Sequence, residues 1–397
     1  MIKMNIVESF TFNRMPRIIF GTGKIAQLGS TVKLFGNRVL LVRGSSSLKK
    51  SDFWNVITGS LQSSGISFWE YEITGEPSPQ SVDTAVQLYF DKSIDCIVSI
   101  GGGSVIDAGK AISAMMPHGN AVTEFLEVVG KRKPDGEKIP FIAVPTTSGT
   151  GSEASANAVL SEIGPNGFKR SLRHENYVPD AAIVDPELSM SCPPQITAAC
   201  GMDAFTQLLE SYVSPKASPF TDALVESALP LVSKHLTSAA FHGTTDINAR
   251  SGMAYSSLVS GISLMNAGLG VVHGLASVIG AKYPIPHGVI CGSLLSSAVD
   301  ITINKLIQSE NGTEAVKKYA KAAKLMLKAE GLSDIEACKK FIDYIESLSN
   351  QLSMPFLSDF GVDHSFVEHI PNENVNKNNP IQLSNNEIKL LLLKKFK

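Results

Sequence analysis

The chain is short of cysteine, of net charge and of long apolar runs, and each shortage removes a class of protein. Its five cysteines (Cys96, Cys192, Cys200, Cys291 and Cys338) are scattered, odd in number and form no CxxC pair. That pattern argues against a disulfide framework and against a thiolate zinc site, and reads each thiol as a small buried hydrophobe. A formal charge of −2 leaves no global basic surface for nucleic acid or an anionic membrane. No apolar run reads as long enough to span a bilayer, and the opening MIKMNIVESF lacks the continuous apolar core of a signal peptide. A soluble, cytoplasmic protein is the simplest expectation. No internal repeat is present. The only biased stretch, NENVNKNNP, reads as a polar connection before the last helix.

What is there is enough for two cores. The chain has 397 residues, 43% hydrophobic and 18% charged, the proportions of a folded protein too long for one core. In the first half short β-branched runs alternate with amphipathic stretches. Arg38 to Val42, Ser67 to Ile73, Cys96 to Ile100, Phe141 to Val144 and Ala181 to Val184 read as strands. SVDTAVQLYFDK and SVIDAGKAISAMM read as helices between them. Such alternation implies a parallel sheet covered on both faces. From about Pro194 long helical patterns follow one another and strand signals become scarce. The break falls where Pro186, Pro193 and Pro194 interrupt regular structure. The expectation is an α/β, Rossmann-like domain over 1–190 and an all-α domain over 191–397, with a ligand cleft between them.

Three glycine-rich segments compete for a phosphate. Gly21-Thr22-Gly23 lacks the full GxGxxG spacing and lies before the first clear strand, so a turn and a helix start suffice for it. Gly101-Gly102-Gly103-Ser104 runs from the strand CIVSI into the helix VIDAGKAI. Glycines there let the backbone approach a ligand, and the helix presents free N–H groups and the positive end of its dipole. Asp107 either serves that site or stabilises the helix start, and Lys110 reads as solvated. Thr146-Thr147-Ser148-Gly149-Thr150, after the strand FIAVP, offers hydroxyls to phosphate, ribose or nicotinamide, or is simply a capped loop.

The second half carries the residues for a metal. Asp203 and Gln207 are four apart, hence on one helical face. His273 and His287 are each followed by Gly, the second after a Pro-rich break. One carboxylate, one amide oxygen and two imidazoles form a mixed oxygen/nitrogen set for Fe2+, Zn2+ or a related ion. Singly, each residue is ordinary, and a lone histidine is more often structural. The other histidines stand in polar contexts and are given no role.

These segments together resemble the iron-containing (group III) alcohol dehydrogenases, relatives of glycerol dehydrogenase and dehydroquinate synthase. The resemblance runs through FGTGKIAQLG, GGGSVIDAGK, PTTSGTGSEAS, PDAAIVDPEL, GMDAFTQLLESYVS, the spacing of His273 and His287, and NNPIQLSNNEI. It implies a dehydroquinate synthase-like fold with the metal in the cleft. Gly101, Gly102, Gly103, Ser104, Asp107 and the loop carrying Thr146, Thr147, Ser148 and Thr150 would contact the dinucleotide, with Lys169 near it. Asp203, Gln207, His273 and His287 would hold the metal, with His273 and His287 at the reacting centre. A homo-oligomer, such as a dimer, is also implied. The chain departs from the pattern twice. Gln207 stands where many members have a third histidine, which marks a branch with a weaker neutral donor. Ser277 stands where many have a further histidine, and its hydroxyl can hold a water in the relay.

The dinucleotide choice is read from the end of RVLLV. Members that prefer NAD often have Asp where this chain has Gly44. Here Gly44 is surrounded by Ser45, Ser46, Ser47, Arg43, Lys49 and Lys50, with no carboxylate in the run, a set that favours the 2′-phosphate of NADP(H) over NAD(H). The expected chemistry is hydride transfer between nicotinamide and the carbinol carbon of a small alcohol or aldehyde, with a Lewis-acid metal at the oxygen. Three rivals stand beside it: a metal-independent carbonyl reductase, a lyase of the dehydroquinate synthase type, and a non-catalytic dinucleotide-binding protein.

Overall fold

A computed structural model describes residues 9–45, 48–164, 167–309, 312–370 and 375–396. In the N-terminal part the strands β1 (Arg17–Phe20), β2 (Arg38–Gly44), β3 (Ser67–Ile73), β4 (Cys96–Gly101) and β5 (Phe141–Pro145) alternate with helices α1 (Leu28–Val32), α2 (Phe53–Ser63), α3 (Pro79–Tyr89) and α4 (Gly103–Met115). A hairpin, β6 (Asn157–Glu162) and β7 (Phe168–Arg173), precedes β8 (Ala181–Val184). Six strands form one parallel sheet in the order β1-β8-β5-β4-β2-β3.

Successive side chains of β2 go to opposite faces, as the strand period requires. Leu40 and Val42 join the core under α3 and α4, while Val39 and Leu41 join the one under α1 and α2. Both faces are covered, which is why the central strands are almost purely apolar. From β2 the chain winds outward to β3; from β4 it winds the other way to β5. The crevice between the ends of β2 and β4 is therefore the topological switch point, where open α/β sheets bind ligands.

Two expectations need correction. RVLLV is the second strand, because the short RIIF pairs with β8 in parallel. Its half-exposed four residues carry little pattern to read. Gly21 and Gly23 consequently do follow a strand, yet they form a turn. The Gly23 and Ile25 N–H groups donate to Glu187 and Asp185, so these donors are satisfied within the protein. The β6–β7 hairpin was also missed, since the sequence of β7, FKRSLR, is charged rather than apolar.

The C-terminal part is helical. Its long helices are α5 (Pro194–Val213), α6 (Pro219–His242), α7 (Ile247–Ala267), α8 (Val271–Lys282), α9 (His287–Gln308), α10 (Thr313–Leu327) and α11 (Asp334–Gln351), followed by the shorter α12 (His364–Glu368) and α13 (Asn385–Leu393). Helix α9 is long and apolar enough to cross a membrane, contrary to the reading of the bare sequence, but 78% of that window is buried inside the molecule, so it serves as a core helix. Helices α7 and α8 meet at a sharp corner of 99°. Gly268 turns it with φ +73, a conformation that favours glycine. Behind the corner sit Asn376, Asn378 and Asn379, all buried; Asn378 donates to the Leu269 carbonyl. The described part of the polar connection before α13, residues 375–380, is thus an internal buttress for the start of α8.

Candidate active site

The sheet contributes one wall of the cleft. Helix α4 begins directly after β4, and its capping residue, Gly102, has no side chain with which to cap it. The glycines differ in purpose. A Cβ on Gly101 would lie 2.6 Å from Val105, and one on Gly103 would lie 2.5 Å from Thr150, so both positions are closed by packing. A Cβ on Gly102 meets nothing nearer than Thr147 at 3.4 Å. Gly102 is the position where the backbone is bare toward the crevice, at the positive end of α4. The crevice beside it is lined by Gly44, Ser51, Gly101, Gly102, Thr146 and Thr147.

Next to the glycine turn lies a second pocket, of about 940 Å³ with its open mouth included, lined by Gly103, Ser104, Asp107, Thr150, Lys169 and, from the helical part, Gln207, Leu264, Leu269, His273, Ser277 and His287. Thr150 is fixed from behind: a Cβ on Gly261 of α7 would lie 2.0 Å from the Gly151 carbonyl, so loop and helix touch backbone to backbone. The sheet and the helices therefore face each other across one pocket, with apolar walls at Leu264 and Leu269 and polar groups at its floor.

The floor is a buried cluster. His273 Nε2 lies 3.2 Å from Asp203 Oδ1, and His287 Nε2 lies 3.8 Å from it. Cys291 Sγ stands 3.7 Å from both Nε2 atoms. One donor atom from each of the four residues falls within 4.8 Å of every other. On its far side His273 Nδ1 meets Glu210 Oε2 at 2.7 Å, while Glu210 Oε1 accepts the Val272 N–H. The carboxylate thus holds the Nδ1–H tautomer and turns the Nε2 lone pair toward Asp203.

The electrostatics call for a cation. Asp203, Glu210 and Cys291 are all buried around His273. Burial alone would lower the His273 pKa, but Cys291, Asp203 and Glu210 together raise it well above its ordinary value. His287 goes the other way, lowered to about 4 by burial and by Lys169 and His273 against the pull of Asp203. Its Nδ1 is buried without a partner among the described residues. Without a metal, a proton on His273 compensates the acids; with one, the same donors converge on a divalent ion. The donor chemistry fits the ion that the sequence implies.

Residues 16–186 match the family model described as iron-containing alcohol dehydrogenase, and residues 197–396 match that of its C-terminal region. Long-chain-alcohol dehydrogenase 1 of Geobacillus thermodenitrificans is 33% identical over 367 residues, covering 90% of each chain. NADPH-dependent butanol dehydrogenase of Clostridium saccharobutylicum is 31% identical over 94% of this chain and 95% of its own. The crystal structure of an archaeal halo-thermophilic alcohol dehydrogenase from a Red Sea brine pool superposes with a TM-score of 0.88 at 26% identity, covering 99% of this chain and 100% of that one.

The chain belongs to the iron-containing alcohol dehydrogenase family.

It is accordingly an NAD(P)-dependent oxidoreductase of the alcohol dehydrogenase class, with a divalent metal and a small-molecule substrate. Most of the residues singled out in the sequence line these two neighbouring pockets or the cluster of donors beside them. Ser148 instead lines a small cavity behind the loop, with Thr147, Glu153 and Ser257. Ser46 lies outside the described residues. Ser277 donates its hydroxyl to the His273 carbonyl. Asp107 ties α4 to the next loop and hairpin, accepting from Ser152 Oγ and the Val159 N–H. Lys169 pairs with Glu76 at 2.9 Å. Gln207 lies in the pocket, but its Oε1 accepts from Ser260 Oγ at 2.8 Å.

Two readings fail on long-range contacts, and one is added to. Lys110 is buried rather than solvated; it donates to the Ser152 and Asn157 carbonyls and to Ser152 Oγ. Cys291 is buried in the helical core as read, and its thiol also stands within 4.8 Å of donor atoms of Asp203, His273 and His287. The basic set at Gly44 is not free of carboxylates, because β3 brings Glu70 and Glu72 onto Arg43, both at 2.9 Å, and Glu70 onto Lys49 at 2.7 Å. Glu210 and Cys291 were nevertheless visible as periodicity. Glu210 lies seven residues after Asp203 and Cys291 four after His287, each on the ligand face of its helix.

Proposed function

We propose that this chain is a metal-dependent alcohol dehydrogenase built from a dinucleotide-binding α/β domain over 1–190 and a helical domain over 191–397, acting on a small alcohol or aldehyde between them. The observation that carries the reading is the cluster of Asp203, His273 and His287 at the floor of the pocket whose other wall is the α4 glycine turn. The bare backbone at Gly102 receives the pyrophosphate, and Thr146, Thr147 and Thr150 orient the ribose and nicotinamide. Leu264 and Leu269 exclude water from the carbon that exchanges hydride. A divalent metal held by Asp203, His273 and His287 supplies Lewis acidity toward the substrate oxygen. Glu210 keeps His273 in the tautomer that leaves Nε2 free for that ion. A water on Ser277 relays the alcohol proton outward.

The preferred dinucleotide is NADP(H), for a narrower reason than the sequence suggested. Arg43 is buried and committed to Glu70, Glu72 and the carbonyls of Gly44 and Ser45. It shapes the turn and leaves Lys49 to meet a phosphate. Lys49 is 41% exposed, and so exposed an ion pair with Glu70 exchanges at little cost. Gly44 itself places no acid beside the ribose. Cytoplasmic location and assembly into a homo-oligomer such as a dimer complete the proposal.

The test is elemental analysis of purified enzyme, then chelation and metal add-back, assayed with NADPH and a panel of aldehydes. Activity lost on chelation and restored by Fe2+ or Zn2+ supports the reading. Activity that survives with no metal present leaves the metal-independent reductase in its place.

A further inference from the structure

We infer that Cys291 is a metal ligand in this enzyme, completing an Asp203–His273–His287–Cys291 set that selects Zn2+ over Fe2+, with Gln207 outside the coordination sphere. The inference rests on the metal site proposed above and assigns its fourth donor and its ion.

Geometry carries it. With metal–nitrogen and metal–oxygen bonds of about 2.0–2.1 Å and a metal–sulfur bond of about 2.3 Å, donors at the corners of a tetrahedron stand about 3.3–3.6 Å apart. The separations here are 3.7 Å from Cys291 Sγ to each imidazole Nε2, and 3.2 and 3.8 Å from those nitrogens to Asp203 Oδ1. Four of the six edges are thus close to tetrahedral lengths, and the remaining two pairs lie within 4.8 Å. Cys291 reaches the cluster because α9 opens at His287, which puts residue 291 one turn further along the same face. The thiol is fully buried and aimed at two ligand imidazoles. The amide of Gln207 is engaged elsewhere, its oxygen accepting from Ser260.

Chemistry gives the selectivity. A thiolate is a soft donor that suits Zn2+, whereas carboxylate, imidazole and amide oxygen alone discriminate little. Binding releases the thiol proton to solvent and leaves the sulfur as thiolate. Zinc expands to five ligands, so four protein donors still admit a substrate.

The test uses full-length protein stripped of metal and titrated with Co2+, a visible stand-in for Zn2+, with Cys291→Ser, Cys291→Ala and Gln207→Ala in parallel. The wild type is expected to bind one Co2+ with an ultraviolet thiolate-to-cobalt charge-transfer band. Both Cys291 variants lose that band, and their preference for Zn2+ over Fe2+ in competition falls at least about tenfold. Gln207→Ala keeps the band. One Co2+ bound by wild type without the band, or a band that persists in both Cys291 variants, overturns the assignment of Cys291 while leaving the metal site standing. No Co2+ bound by wild type overturns the site itself. The wild-type spectrum decides the matter even where a variant fails to fold.

Discussion

His273 Nδ1 lies 2.7 Å from Glu210 Oε2, and the second oxygen of that carboxylate accepts the N–H of Val272, the residue before the histidine. One side chain of α5 therefore fixes both the ring and the backbone that carries it. A histidine ligand is only as well oriented as its partner on the far nitrogen, and removing such partners commonly costs 10–100-fold in metal affinity. Glu210→Gln preserves the shape but has one acceptor oxygen for two donors. Its Zn2+ affinity, measured against a competing chelator, should drop about tenfold or more. An affinity equal to that of wild type would show that Glu210 is only a packing residue.

The three glycines at the head of α4 predict different phenotypes. Gly101→Ala and Gly103→Ala force a Cβ within 2.6 and 2.5 Å of neighbouring side chains and should lower the Tm. Gly102→Ala meets nothing closer than 3.4 Å and has φ −73, so its Tm should stay within a degree or two of wild type. The added methyl instead occupies the space that a pyrophosphate needs. The dinucleotide Kd should rise about tenfold or more while unfolding is unchanged. Tight binding by Gly102→Ala would move the phosphate away from this turn.

The parts of the site that could be read in the sequence are those built from local periodicity. Asp203 and Gln207 share a helical face, and the glycine turn links a strand to a helix, whatever the rest of the chain does. What could not be read depends on residues far apart. Glu70 and Glu72 neutralise Arg43 only because β3 pairs with β2 in register. Lys110 is buried because β6 and its preceding loop cover it. The Cys291 thiol meets the His273 ring only because α8 turns sharply out of α7 and brings that histidine beside α9; the sequence spacing shows only that Cys291 shares a helical face with His287. β1 and β7 escaped for local reasons: RIIF is apolar but only four residues long, and FKRSLR is charged and held by pairing rather than by an apolar pattern of its own.

Dinucleotide preference should respond to two positions and spare a third. A side chain at Gly44 finds open space, its Cβ 3.8 Å from Val105, so Gly44→Asp can place a carboxylate at the end of β2. That acid repels a 2′-phosphate and accepts from ribose hydroxyls. Lys49→Glu removes the exposed cation that Arg43 leaves to meet a phosphate. Each should lower kcat/KM for NADPH relative to NADH by about tenfold or more. Arg43→Lys should instead lower stability, because a buried fork bonded to two carboxylates and two carbonyls is not replaced by an ammonium. A wild type that prefers NADH would overturn the NADP(H) assignment.

Glu153 predicts how stability varies with pH. It is 2% exposed, and burial raises its carboxyl to about 7 from an ordinary 4.5, against the smaller opposing effects of its own backbone N–H and Lys110. The folded state therefore holds this proton more tightly than the unfolded chain. Its contribution is fully present below pH 4.5, declines as the pH rises toward 7, and is lost above. At about 1.4 kcal/mol per pK unit the whole swing is about 3 kcal/mol. Glu153→Gln keeps the neutral shape at every pH and removes the swing. Urea unfolding of metal-free protein should give similar stability for variant and wild type near pH 5, and a more stable variant at pH 8. A difference that stays constant between those values would show that the carboxyl is already ionised throughout, with Lys110 as its true counter-charge.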